Sequence, residues 1–269
     1  MRPRTEVELM EAARAGDAGA LEELLCRHEQ QVYRFGLRMC GSEEDARDVL
    51  QETLLAAFRG LHTFRGEAAL STWLYQLART YCGRLRRLRA GMPAAFEPLD
   101  APAAAQVAAD EATPDRASLA RQMGEVLQAA ILALPEEQRE ALTLRDVEGL
   151  TAEEAARVVG IEVRALKSRL HRARVQLRAH VVTLLGEGAQ PDAPGCAELA
   201  RELSEYVARD VDQATCARLE AHLSRCPRCA RAHGALKRSV SLCRSIPGDA
   251  VPAPVRSAVR QALARALAD

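Results

Sequence analysis

Residues 150–177 read LTAEEAARVVGIEVRALKSRLHRARVQL, and this stretch decides the fold. Apolar residues at Ala155, Ala156, Val159, Ile161, Val163, Leu166, Leu170 and Leu177 recur at helical spacing and can line a small core. Gly160 falls where the chain leaves the first helix with a left-handed backbone, a conformation glycine adopts at least steric cost. Arg164, Lys167, Arg169, Arg172, Arg174 and Arg178 are expected to point outward, with Glu162 as the opposing acid. The spacing predicts two short helices at a tight turn, a helix-turn-helix whose second helix can enter a DNA major groove.

Beyond this stretch, the 269 residues are enough for two or three domains. Aromatics make up 3% while alanine and leucine abound, so the expected fold class is all-α. The formal net charge is zero, which conceals local extremes. Residues 71–90 carry Arg79, Arg84, Arg86, Arg87 and Arg89 without an acid. Residues 91–120 hold Glu97, Asp100, Asp110, Glu111 and Asp115 against Arg116. Two basic islands flanking an acidic stretch form a bipartite electrostatic footprint for nucleic acid. No apolar run reaches membrane-spanning length and MRPRTEVELM has no signal-peptide core, so a cytoplasmic protein without a membrane partner is expected. In that compartment the eight cysteines are not expected to build a disulfide framework. Cys26, Cys40 and Cys82 read as buried small hydrophobes, whereas the five from Cys196 to Cys243 cluster and require a chemical reason.

The periodicity divides the chain into seven parts. An N-terminal segment (1–19) precedes a helical block (20–91), in which Ser42 followed by Glu43, Glu44 and Asp45 marks a helix N-terminus. A linker rich in alanine, proline and acids (92–118) leads to a second helical block (119–185). A short linker (186–195), a cysteine-rich module (196–245) and a final segment (246–269) follow. In the last, Val255, Val259, Leu263 and Leu267 predict an amphipathic helix.

DARDVLQETLLAAFRGLHTFRGEAALSTWLYQLART (45–80) resembles region 2 of an extracytoplasmic-function (ECF) sigma factor of bacterial RNA polymerase. ALPEEQREALTLRDVEGLTAEEAARVVGIEVRALKSRLHRAR (133–174) resembles region 4 of the same family. The resemblance implies two small helical sigma domains, core RNA polymerase and promoter DNA as partners, and no catalytic activity. It implies that the polar helix face of Asp45, Asp48, Gln51 and Glu52 meets the polymerase. It further implies that the loop 64–71 and the helix after it melt the −10 element, with Thr80 and Arg84 as contacts. Many members carry asparagine in that helix where this chain has Thr80, so the preferred −10 sequence is open. Trp73 and Tyr75 fit either base stacking or core packing. In region 4, Glu162, Arg164, Ala165, Lys167 and Ser168 are expected to read the −35 element, and Arg169, Arg172 and Arg174 to meet phosphates or solvent.

Within CAELARELSEYVARDVDQATCARLEAHLSRCPRCARAH (196–233), His222, Cys226 and Cys229 form H-x3-C-x2-C, a spacing at which an imidazole and thiolates can converge on one metal. The segment resembles the zinc-binding domain of anti-sigma factors, which implies a ligand set of Cys196, His222, Cys226 and Cys229. Cys216 and Cys243 are surplus thiols, with His233 a weaker candidate. A sigma factor with a cysteine-rich tail is similar to the metal-responsive CorE-like group, and soft thiolates suit zinc, copper(I) or cadmium. The expectation is metal sensing by the tail through Cys196, Cys216, His222, Cys226, Cys229 and Cys243, with two alternatives: a thiol redox switch at the CPRC pair, or a purely structural zinc module. A helix-turn-helix repressor and an oxidoreductase using Cys226 and Cys229 are the readings from other classes.

Overall fold

The computed structural model describes residues 2, 4–64, 66, 68–90, 116–184, 196–245 and 250–268, and every regular element among them is helical. The order is α1 (Glu6–Arg14), α2 (Ala18–Cys40), α3 (Glu43–Gly60), α4 (Leu70–Ala90), α5 (Arg116–Leu132), α6 (Glu136–Leu142), a π turn (Thr143–Val147), α7 (Ala152–Val159), α8 (Val163–Leu184), α9 (Ala200–Val207), α10 (Gln213–Leu223), α11 (Pro227–Ser245) and α12 (Ala253–Ala268). Residues 92–115 of the first expected linker, the whole of the second, Arg65 and Glu67 lie outside the described residues, and the last three residues of the first linker instead open α5.

The cap at Ser42 and the turn glycine at Gly160 are those the sequence announced; the cap at Thr151 is a further one that the structure shows. The Ser42 hydroxyl accepts from the Asp45 backbone N–H to open α3. Thr151 and Glu154 form a reciprocal capping box at the start of α7, which ends on Gly160 at φ +76°. α8 follows as one long helix, and Leu166, Leu170, Ala173 and Leu177 along it are buried. The helix-turn-helix is therefore as expected, but its second helix is not cationic on every outward face. Arg174 was expected to meet phosphate or solvent; it is 1% exposed, with Asp146 accepting from its Nε and Nη2 at 2.7 and 2.6 Å. A guanidinium inside the molecule is stable only when paired, and Asp146 on the π turn supplies the charge.

One apolar core runs through α1–α8 and on into the C-terminal elements. Leu24, Phe35, Leu50, Leu54 and Leu74 join Ile131, Leu142 and Leu166, together with Cys243, Val251, Val259 and Leu263. α2, α3 and α4 pack as one bundle, and α5–α8 as a second beside it. Polar contacts stitch the two bundles together. Arg34 Nε donates to Glu148 at 2.6 Å, and the Tyr75 hydroxyl to the same carboxylate at 2.8 Å. Gln76 donates to the Arg157 carbonyl at 3.0 Å, and Arg79 pairs with Glu140. Tyr75 is thus an anchor between bundles. Trp73 is half-buried and stacks on Phe64 at 5.2 Å. α12 closes the molecule, lying on α3 and α2 with Arg256 paired to Glu29 at 2.6 Å.

Candidate metal centre and nucleic-acid interface

The cysteine-rich module has a small core of its own. Leu203, Leu219 and Cys229 are the buried members of that cluster, with Leu199, Tyr206, Leu223 and Leu236 packed around them. So few apolar groups cannot hold a domain without a staple. The staple is next to them: Cys196, His222, Cys226 and Cys229 bring their ligand atoms within 4.8 Å of one another. His222 Nε2 lies 3.7 Å from Cys196 Sγ and 3.2 Å from Cys229 Sγ. Metal–ligand bonds of about 2.0–2.3 Å give a tetrahedral site edges of roughly 3.5 Å, so the four groups fit one zinc-sized ion.

Local sequence builds this geometry. Pro227 opens α11, where a missing N–H costs nothing, and leaves Cys226 just ahead of the helix. The Cys226 thiol is pulled down to about 7, first by the backbone N–H of Cys229 and further by the Cys229 and His222 side chains. A thiol so placed is readily a thiolate ligand. His222 comes from the last turn of α10, and Cys196 from the residue ahead of a 3₁₀ turn (Ala197–Leu199). The surplus thiols stay outside the cluster. Cys243 is buried in the main core, and that burial raises its thiol, with Asp146 adding to the rise. Cys216 lies 3.5 Å from a Glu220 oxygen in a groove it shares with Tyr206, His233 and Lys237.

The module sits on the helix-turn-helix. Arg174 Nη1 donates to the Ser204 carbonyl at 2.5 Å and to its hydroxyl at 2.9 Å. Arg145 reaches Asp210 at 2.9 Å and the Ala208 carbonyl at 2.7 Å. Lys167, in the expected reading face of α8, donates to the Asp210 carbonyl at 2.9 Å and to Glu205 at 3.2 Å. Glu198, Glu202 and Asp212 line the same hollow with Arg201. Glu162, Arg164, Ala165 and Arg172 are exposed and Ser168 is half-buried, while Arg169 pairs with Glu137 at 3.2 Å.

At the other bundle, Asp48, Gln51 and Glu52 on α3 and Arg84, Leu85 and Leu88 on α4 line a shared groove. Asp45 points inward: it is 4% exposed and pairs with Arg89. Thr80 is exposed, and its hydroxyl is returned to the Gln76 carbonyl at 2.9 Å. Sequence reasoning missed the tail's acids Glu205 and Asp210, which face Lys167 and Arg145. Their only signal was composition, since nothing in their spacing says which helix they meet.

Residues 24–90 match the family model for sigma-70 region 2, residues 124–177 that for sigma-70 region 4, and residues 196–230 a zinc-finger family model. The chain is 35% identical over 175 residues to the ECF RNA polymerase sigma factor SigM of Mycobacterium tuberculosis, covering 65% of this chain and 83% of that one. It is 32% identical over 185 residues to the RNA polymerase sigma-H factor of Pseudomonas aeruginosa, covering 67% and 95%. A solved sigma factor RpoE in complex with the anti-sigma factor NepR from Bartonella quintana shares 23% identity at a TM-score of 0.46, covering 62% of this chain and 98% of that one.

Proposed function

The chain belongs to the ECF sigma factors of bacterial RNA polymerase, a transcription initiation factor and not an enzyme, and from that premise we propose that its metal-holding tail restrains promoter binding until the metal centre changes. The observation that carries this reading is Lys167, whose ammonium is taken up by Glu205 and the Asp210 carbonyl of the tail. Acids that engage the cation of a DNA-reading helix compete with phosphates and base edges for it.

Two further features support a restrained resting state. The names −35 and −10 put the two promoter elements roughly 25 base pairs apart, about 85 Å at 3.4 Å per base pair. Bundles joined by Tyr75, Gln76 and Arg79 cannot reach both at once, so the pair opens before promoter engagement. The tail bridges that closed pair, since α9 and α11 lie on α8 while α12 lies on α2 and α3. A metal then acts through its unequal affinity for the docked and released arrangements.

In this reading Glu162, Arg164, Ala165, Lys167 and Ser168 read the −35 element, and Arg169 and Arg172 hold phosphates. Thr80 and Arg84 meet the −10 element, and Asp48, Gln51 and Glu52 meet core polymerase, with Asp45 positioning their helix through Arg89. Cys196, His222, Cys226 and Cys229 hold the resident ion, zinc or another soft metal. The test is transcription by core polymerase across a panel of zinc, copper and cadmium, with and without a chelator. Chelation is expected to raise transcription; unchanged transcription in every condition contradicts metal control, and lower transcription contradicts restraint by the metal-bound tail. A redox switch at Cys226 and Cys229 is separated by zinc release under peroxide.

A further inference from the structure

Cys40 closes α2 and Cys82 lies midway along α4, 42 residues further on. Read singly, each is a small hydrophobe in a helical core. Together they are a pair: their sulfurs stand 3.3 Å apart, and among the described residues they belong to no group of three or more metal-ligating side chains. A disulfide bond of about 2.05 Å therefore needs the sulfurs to approach by little more than 1 Å.

The two thiols differ in access. Cys82 is 1% exposed, whereas Cys40 is only half-buried. They differ in reactivity as well. The hydrogen bond with Cys82 holds the Cys40 thiol below its ordinary value, with help from Arg86 and Arg89, while burial and Asp45 oppose the shift. The same contact, with burial, raises Cys82. An accessible thiolate backed by a protonated thiol is the arrangement of an attacking and a resolving cysteine.

We propose that Cys40 and Cys82 form a reversible oxidation site between α2 and α4, distinct from the metal centre, with Cys40 attacking a hydroperoxide and Cys82 resolving it. In the first step the Cys40 thiolate attacks one oxygen of hydrogen peroxide. The O–O bond breaks, hydroxide departs and takes up a proton as water, and Cys40 becomes a sulfenic acid. In the second step the Cys82 sulfur attacks the Cys40 sulfur. The S–S bond forms, the S–O bond breaks, and the departing hydroxide leaves as water with the Cys82 proton. Two thiols and one peroxide give one disulfide and two waters. The bond ties α4, whose far end carries Arg84, Arg86, Arg87 and Arg89, to the end of α2.

The experiment uses the full metal-loaded chain. It is titrated with hydrogen peroxide, denatured, alkylated and mapped by mass spectrometry. Cys26 serves as the internal reference, because it is half-buried and burial raises its thiol. The expected result is a Cys40–Cys82 linked peptide at doses that leave Cys26 fully alkylated, reversed by dithiothreitol. In Cys40→Ser, Cys82 stays alkylated as in untreated protein; in Cys82→Ala, Cys40 accumulates as a dimedone-trapped sulfenic acid. The proposal is overturned if Cys26 oxidises first, if wild-type Cys40 stops short of the link or joins another cysteine, or if Cys82 oxidises without Cys40.

Discussion

The sigma portion and the cysteine-rich module are held together by different physics. α1–α8 close over a continuous apolar core in which Leu24, Phe35, Leu50 and Leu54 are fully buried. The module of α9, α10 and the start of α11 has an apolar cluster of its own with three buried members, and a four-ligand group that includes one of them, Cys229. The first portion has a large apolar core to hold it; the second, on the proposed reading, depends on a metal to gather its ligands. Between them, α12 and the end of α11 are anchored in the sigma core through Cys243, Val259 and Leu263. A conditional module tethered at its far end can let go of a DNA-reading helix without leaving the molecule. In the proposed reading, that difference is the physical basis of a switch.

The contrast can be broken most severely at the metal. Structural zinc sites contribute about 10–16 kcal/mol to folding. Cys229→Ser or chelation should therefore abolish metal content and remove hydrogen-exchange protection across 196–236, leaving α2–α4 protected. Equal loss in both portions would show that the two are one folding unit. Next in size is Phe35→Ala, expected to lower unfolding free energy by about 3–5 kcal/mol with metal content unchanged, as read by denaturant titration alongside metal analysis.

The seam comes third. Asp146→Ala leaves Arg174 buried without its partner, a loss on the order of 3 kcal/mol, and should loosen α9 from α8 at the same time. Protection of α9 equal to wild type would mean that Ser204 alone suffices. Smallest in stability is Glu205→Gln. A half-exposed pair such as Lys167–Glu205 contributes less than about 1 kcal/mol, so the unfolding midpoint should scarcely move. Binding to duplex DNA should nevertheless rise and become more salt-dependent, because Lys167 is returned to the phosphates. Unchanged DNA binding would remove Glu205 from the restraint.

The elements were legible where the signal is local. Ser42 announces its helix, Gly160 announces the turn, and the H-x3-C-x2-C spacing brings His222, Cys226 and Cys229 together because four residues span one helix end and one turn. What the sequence could not supply is contact between distant segments. Arg174 reads as one more outward arginine because its partners, Asp146 and Ser204, are 28 and 30 residues away. Lys167 and Glu205 meet only because the module folds back onto α8. Cys40 and Cys82 look like separate core residues until α2 and α4 are packed. Cys243, grouped with the metal thiols by proximity in sequence, belongs to the sigma core because α11 is long enough to carry it there.

One assay reaches the central claim directly: transcription of a randomised promoter library by core RNA polymerase and the purified chain, with RNA sequenced before and after chelation. The account predicts RNA from a defined subset of templates only when the chain is added, with the yield from that subset rising once the metal is withdrawn. Chain-dependent RNA whose yield is the same or lower after chelation would contradict restraint by the metal-bound tail.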